Sequence, residues 1–146
     1  MYRLHKFVIH IQVEKGLILF NGKHELRLYI EKYLFFIYVQ SLIAEPFSSR
    51  SLTDKAEIKR LGRPTPNLNI IQSVSSKKRS FNRTFNRAIY NKHTWICGCE
   101  IKNALFCFPC LLFGGESSWT KTGFTDLNHS GDRIKKHTLS EKHDYC

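Results

Sequence analysis

Cys107, Cys110, His137 and His143 are the residues of this sequence whose types and spacing could do chemistry. Two thiols three positions apart and two imidazoles six apart make a Cys-x2-Cys…His-x5-His pattern. Such a set can close a tetrahedron around one Zn²⁺. The cysteine pair forms a tight knuckle with both sulfurs on one side of a turn, and the histidines stand about one and a half helical turns apart. Four protein ligands leave no open position for water, so a site of this kind is structural and not catalytic. Ligation needs ionised thiols and neutral imidazoles, so metal uptake releases protons and weakens in acid. The same residues also fit a plainer arrangement of two buried cysteines and two surface histidines. Cys97 and Cys99, just ahead of the knuckle, could replace a histidine, feed a second partial site, or simply pack in an apolar hairpin. His129 and Cys146 are weaker substitutes, and His5, His10, His24 and His93 carry no ligand spacing.

Enzymatic readings of the same residues fail on their surroundings. Cys107-Phe108-Pro109-Cys110 is similar to a dithiol redox motif at a helix start. Only 36 residues follow it, too few for the strands and helices that fold requires. A zinc deaminase needs a His-x-Glu ahead of Pro-Cys-x-x-Cys, and here Pro109-Cys110 leads instead to Phe113. No glycine-rich phosphate loop and no Ser/His/Asp set is present, so the expectation is a protein that is not an enzyme.

Composition narrows the partners. The chain has 146 residues and a formal charge of +11, with a pI near 9.6. A polyanionic partner follows, nucleic acid before an anionic membrane. From Arg50 to Lys92, eleven Lys or Arg stand against Asp54 and Glu57. Five cysteines, four of them between Cys97 and Cys110, suit metal binding in a reducing compartment better than a disulfide scaffold. No secretory leader is evident. The most apolar run, 33–44, is shorter than the ~20 residues a bilayer requires, so a soluble, intracellular protein with no membrane partner is expected.

The elements that must position the tetrad are an α+β set: a small zinc-stabilised hairpin-plus-helix module, a basic flexible arm, and an N-terminal strand/helix segment. Within residues 1–46, Phe7, Ile9, Ile11 and Val13 alternate as in a strand, and Asn21-Gly22 suits a hairpin turn. A helix fits 24–44 better than a strand, ending at Pro46. Residues 47–78 read as a basic Ser/Pro-containing linker with little core. Residues 79–146 form the module. Phe81, Phe85, Ile89 and Tyr90 at helical spacing predict an amphipathic helix with its aromatics inward and Arg79, Arg83 and Arg87 outward. The apolar runs between Trp95 and Phe113 predict a hairpin whose turn carries the thiols, and Trp119, Phe124 and Leu127 add core. A helix over 131–139, capped by Ser130 or Asn128, turns Ile134 inward and Arg133, Lys135 and Lys136 outward. A module below about 80 residues rarely holds together without a metal or disulfide, and zinc answers that need. Arg79, Arg83, Arg87, Arg133, Lys135 and Lys136 are then the candidate phosphate contacts.

Five blocks in order carry a family resemblance: Leu61-Gly-Arg-Pro-Thr-Pro-Asn67, Trp95-Ile-Cys-Gly-Cys99, Leu105-Phe-Cys-Phe-Pro-Cys-Leu-Leu-Phe113, Trp119-Thr-Lys-Thr-Gly-Phe124, and Ile134-Lys-Lys-His137…Ser140…His143. Over roughly 57–146 the chain resembles the TTF-type zinc finger that precedes the catalytic region of hAT-type transposases and of their zinc finger MYM-type relatives. The resemblance implies a nuclear, zinc-binding, DNA-binding module with Cys107, Cys110, His137 and His143 as ligands. It also implies that the RNase-H-like catalytic domain and the dimerisation region of such transposases are missing. The expectation is a DNA-binding module without transposase catalysis. The alternatives are a zinc-stabilised protein-interaction module, with Trp119, Phe124 and the hairpin's outer aromatics in a docking patch, or a non-functional transposon-derived fragment.

Overall fold

A four-residue-a-strand hairpin, buried on both faces, holds the centre of the two apolar clusters. The computed structural model describes residues 38–76 and 79–144. The strand and hairpin expected within 1–23 lie outside those residues, as does most of the helix expected over 24–44. Residues 38–44 are helical (α1), and the chain then passes through a 3-10 turn, Phe47–Ser49. The remaining elements are α2 (Leu52–Leu61), β1 (Ile71–Ser76), β2 (Arg79–Thr84), α3 (Ile89–Lys92), β3 (Ile96–Cys99), β4 (Ala104–Cys107), α4 (Phe108–Phe113), α5 (Ser117–Thr120), α6 (Ser130–Thr138) and α7 (Glu141–Asp144). The class is α+β, as the sequence implies. Among the described residues no helix is long and apolar enough to cross a membrane.

β3 and β4 pair antiparallel, Ile96 opposite Cys107 and Cys99 opposite Ala104. Alternation sends Ile96, Leu105 and Cys107 into one apolar cluster, with Tyr90, Trp119, Phe124, Leu127 and Ile134. It sends Cys97, Cys99, Ala104 and Phe106 into a second, with Tyr38, Val39, Leu42, Ile58 and Leu111. Side chains two apart share a strand face, so this is what a period of two requires when both faces are covered. Both outer edges are covered too. Gly98 N–H donates to Pro64 O at 3.1 Å on one side. On the other, Leu105 and Phe124 exchange backbone bonds of 2.9 and 2.7 Å. Gly98 has to be glycine, because a Cβ there would sit 2.2 Å from the Tyr90 hydroxyl and 2.9 Å from Pro66 Cγ.

The segment read as a loose linker contributes structure and core instead. Ser51 caps α2, its hydroxyl accepting from Asp54 N–H at 3.1 Å. Pro64, Leu68 and Ile70 are buried along the β3 edge. Prolines with fixed φ restrict the backbone here, where a flexible arm was expected. Several of the basic residues are occupied internally. The Arg50 guanidinium donates to Ser41 O at 2.6 Å and to Glu45 O at 3.1 Å, bracing the end of α1. Arg63 donates to Tyr90 O at 3.2 Å and also to Ile96 O, tying α3 to β3. Lys55 donates to Ser48 O, and Arg60 pairs with Glu57.

The helix expected from Arg79 to Tyr90 is a strand followed by one helical turn. β2 pairs with β1, Thr84 opposite Ile71 and Phe81 opposite Val74. Ser80, Asn82 and Thr84 are poor helix formers whose side chains compete for backbone bonds, and they fall at every second position. Ser73 and Asn82 hydrogen-bond across the ribbon at 3.0 Å. Phe81 is consequently half exposed and not core, whereas Phe85 turns in against Tyr90, ring centroids 5.6 Å apart.

Candidate metal centre

The cysteine pair sits at a strand-to-helix corner. Cys107 ends β4 and precedes α4, in whose first turn Cys110 lies. Pro109 suits that turn, where its missing N–H has no helical partner in any case. The expected hairpin is present, but its turn is 100–103, with Asn103 at φ 46°, and not the thiol knuckle. Three positions along a helix start, both sulfurs face one side.

The histidines arrive on the last two helices. α6 spans Ser130–Thr138, close to the expected 131–139, but its N-cap is His129 and not Ser130 or Asn128. Asp126 Oδ1 takes the Asn128 and His129 N–H groups at 3.0 and 3.3 Å, and its other oxygen meets His129 Nδ1 at 2.7 Å. The His129 bond holds the Asp126 carboxyl below its ordinary pKa. Ile134 and His137 face inward while Arg133, Lys135 and Lys136 are exposed, as predicted. Ser140 makes the turn between the two imidazoles: its N–H and hydroxyl both donate to His137 O, at 3.0 and 2.7 Å, and its own carbonyl accepts from His143 N–H at 2.9 Å.

The four side chains converge. Cys107 Sγ lies 3.5 Å from His143 Nδ1, and Cys110 Sγ lies 3.6 Å from His137 Nε2 and 3.9 Å from His143 Nδ1. All four donor atoms fall within 4.8 Å of one another. Bonds of about 2.3 Å to sulfur and 2.05 Å to nitrogen, at tetrahedral angles, put a sulfur and a nitrogen about 3.6 Å apart. Those observed separations therefore match ligands around a common centre, and the set can hold a metal ion. Two thiolates and two neutral imidazoles cancel a divalent charge, which is what burial demands. Cys107, Cys110 and His137 are buried and His143 partly so.

Aromatic rings wall the site. The Trp119 ring stacks on His137 at 4.7 Å and 28°, while Phe124 stacks on the Trp119 ring at 5.1 Å. Trp95 lies 5.1 Å from His137 and 5.0 Å from His143, and its carbonyl accepts from Phe108 N–H at 2.8 Å. These contacts fix both imidazole planes. Trp119 and Phe124 are buried, so neither lines an exposed docking patch. Gly114, at φ 97°, ends α4, and Gly115 then passes so close that a Cβ would meet Cys110 Sγ at 2.7 Å. Sequence spacing did not point to Trp95, Gly115 or Glu116 as neighbours of the site. The one visible sign was the Gly-Gly pair directly after the cysteine helix.

Cys97 and Cys99 take no part, since both belong to the cluster on the other hairpin face. Burial drives the Cys97 thiol far above its ordinary pKa and keeps it neutral. Exposed His129 is engaged by Asp126, and His93 packs beside Trp95. Of the candidate phosphate contacts, all six are exposed. Arg79 and Arg83 share a face of β2, not of a helix. Arg83 also donates to Leu127 O at 3.3 Å. A cleft of about 540 Å³ lies between Arg83, Phe85 and Lys92 and the start of α6 at Ser130 and Gly131; of the six candidate contacts, Arg83 lines it. Lys135 and Lys136 lie in the last turn of the same helix.

No family model, no curated protein and no solved structure matches the chain.

Proposed function

We propose that the chain is a zinc-dependent DNA-binding module, similar to the TTF-type finger ahead of hAT-type transposases, that works in the nucleus and catalyses nothing itself. The observation that carries this reading is the buried Cys107, Cys110, His137 and His143 cluster. Soft sulfur with imidazole in a tetrahedral S₂N₂ set selects zinc over harder cations. When bound, the ion joins the β4–α4 corner to α6 and α7. The resemblance blocks also pack on one another. Gly98 meets Pro66, Leu105 pairs with Phe124, and Trp119 stacks on His137.

DNA is favoured by the outward cations. Arg79, Arg83 and Arg87 lie along β2 and the turn after it, and Arg133, Lys135 and Lys136 on the outer face of α6. They contact phosphates, which gives affinity without sequence preference. Each neutralised phosphate lowers the log–log salt slope by about 0.9, so six contacts give a slope near about −5. Duplex binding by the purified, zinc-loaded chain across a salt series tests this. A steep slope, reduced by about one for each charge removed at these positions, is expected. Binding that is flat in salt, or absent at low salt, contradicts it.

A further inference from the structure

His137 presents Nε2 to Cys110 Sγ at 3.6 Å, which leaves Nδ1 to carry the ring proton. That Nδ1 is buried and, among the described residues, has no hydrogen-bond partner. A buried N–H left unpaired is costly, and metal-ligating histidines almost always donate their second nitrogen to a carboxylate, a carbonyl or a water. Glu116 Oε2 stands 3.9 Å from this atom. Its other oxygen is already held, accepting from the Ser118 hydroxyl at 2.8 Å. The backbone beneath is fixed as well, for Glu116 O accepts from Trp119 N–H at 2.9 Å and from the Thr120 hydroxyl at 3.1 Å. One short helix thus delivers both the indole that stacks on the His137 ring and the carboxylate that faces its free edge. Gly115 permits the approach by running close over Cys110 Sγ.

The geometry points to Glu116 as the outer partner of the metal centre: a positioning residue that takes the His137 Nδ1 proton in a hydrogen bond when the ligands close on a metal ion. Closing the remaining ångström or so, to the usual ~2.9 Å of an N–H···O bond, requires only torsion of a side chain that is half exposed. The bond locks the tautomer in which the Nε2 lone pair faces the thiols, and its negative charge makes that nitrogen a better donor. Ser118 sets the angle of the carboxylate. The inference rests on the metal-binding reading of the four ligands and adds a fifth residue to it.

The test is metal affinity of the full chain, measured with cobalt(II) by its absorption and with zinc by competition against a chelator of known strength. Parent, Glu116→Ala, Glu116→Gln, Ser118→Ala and, as a control, Glu100→Ala on the exposed hairpin turn are compared. Every variant should take one ion per chain. Glu116→Ala should bind about 10- to 100-fold more weakly. Glu116→Gln should fall between, its amide oxygen accepting the bond without the charge, and Ser118→Ala should lose less. The His137 Nδ1 proton, followed by nitrogen-edited NMR of the metal-loaded protein, should exchange faster in Glu116→Ala only. Equal affinities for Glu116→Ala, Glu100→Ala and parent, with an unchanged Nδ1 proton, overturn the role of Glu116 while leaving the four ligands intact. A parent that takes no metal overturns both.

Discussion

The two faces of the β3–β4 hairpin are closed by different physics. On one, Cys97, Cys99, Ala104 and Phe106 pack against α1, α2 and Leu111, an ordinary apolar contact. The Tyr38 hydroxyl ties the two helices together by donating to Ile58 O at 3.0 Å. On the other, Cys107 shares the apolar layer of Trp119, Phe124 and Ile134, yet its outer wall is α6 and α7, which meet the hairpin where the donor atoms of Cys107, Cys110, His137 and His143 converge. α6 buries only Ile134 and His137. A helix holding so little of its surface out of water is not kept in place by burial. Cysteines on the first face are therefore packing groups, and Cys107 and Cys110 on the second are placed where they could hold a metal ion, though the two pairs are close in sequence. Residue type alone does not decide the role; the face does.

Breaking the metal face should have the largest effect. Cys110→Ser or His137→Ala, or removal of metal by a chelator, should forfeit most of a binding energy on the order of 10 kcal/mol. Thermal unfolding should then show the C-terminal helices melting far below the rest, or no cooperative transition at all. Acid acts in the same direction, because thiols and imidazoles that regain protons cannot ligate. Breaking the other face should cost less and leave the metal in place. Phe106→Ala removes a fully buried ring from the α1–α2 side, worth about 3–5 kcal/mol, with one ion per chain retained on mass spectrometry under native conditions. Gly98→Ala forces Tyr90 and Pro66 apart and should destabilise by about 1–3 kcal/mol in denaturant titration. Asp126→Asn should have the smallest effect, under about 1 kcal/mol, since the pair with His129 is exposed. Because folding lowers the Asp126 pKa, its contribution is present above the ordinary carboxylate range, near pH 4, and is lost as pH falls through the lower folded value. The parent and Asp126→Asn should converge in stability below that point.

What the sequence disclosed follows the same division. Ligand spacing is a local property with few alternatives, so Cys107, Cys110, His137 and His143 could be chosen from their separations, and the structure brings them together. α6 was legible because Ile134 and His137 stand three apart among charged residues. The turn of the hairpin was misplaced because the thiol pair looked like a turn, although Pro109 marks a helix start. β2 was misread as a helix because Phe81 and Phe85 satisfy a spacing of four. Ser80, Asn82 and Thr84 favour the alternating pattern, and it prevails. The stretch from Ser48 to Arg79 was read as an arm from its serines, prolines and charge. Yet Arg50 and Arg63 brace helix ends, and Leu68 and Ile70 are core. Contacts that cross the chain at long range, such as Gly98 with Pro66 or Glu116 with His137, leave no trace in one-dimensional spacing.

Alkylation of the native chain, mapped cysteine by cysteine before and after chelation, tests the central claim most directly. Cys107 and Cys110 should resist the reagent while metal is present and react promptly once it is withdrawn, whereas Cys97 and Cys99 should stay protected longer behind α1 and α2. Equal reactivity of Cys107 and Cys110 with and without chelator would contradict the account.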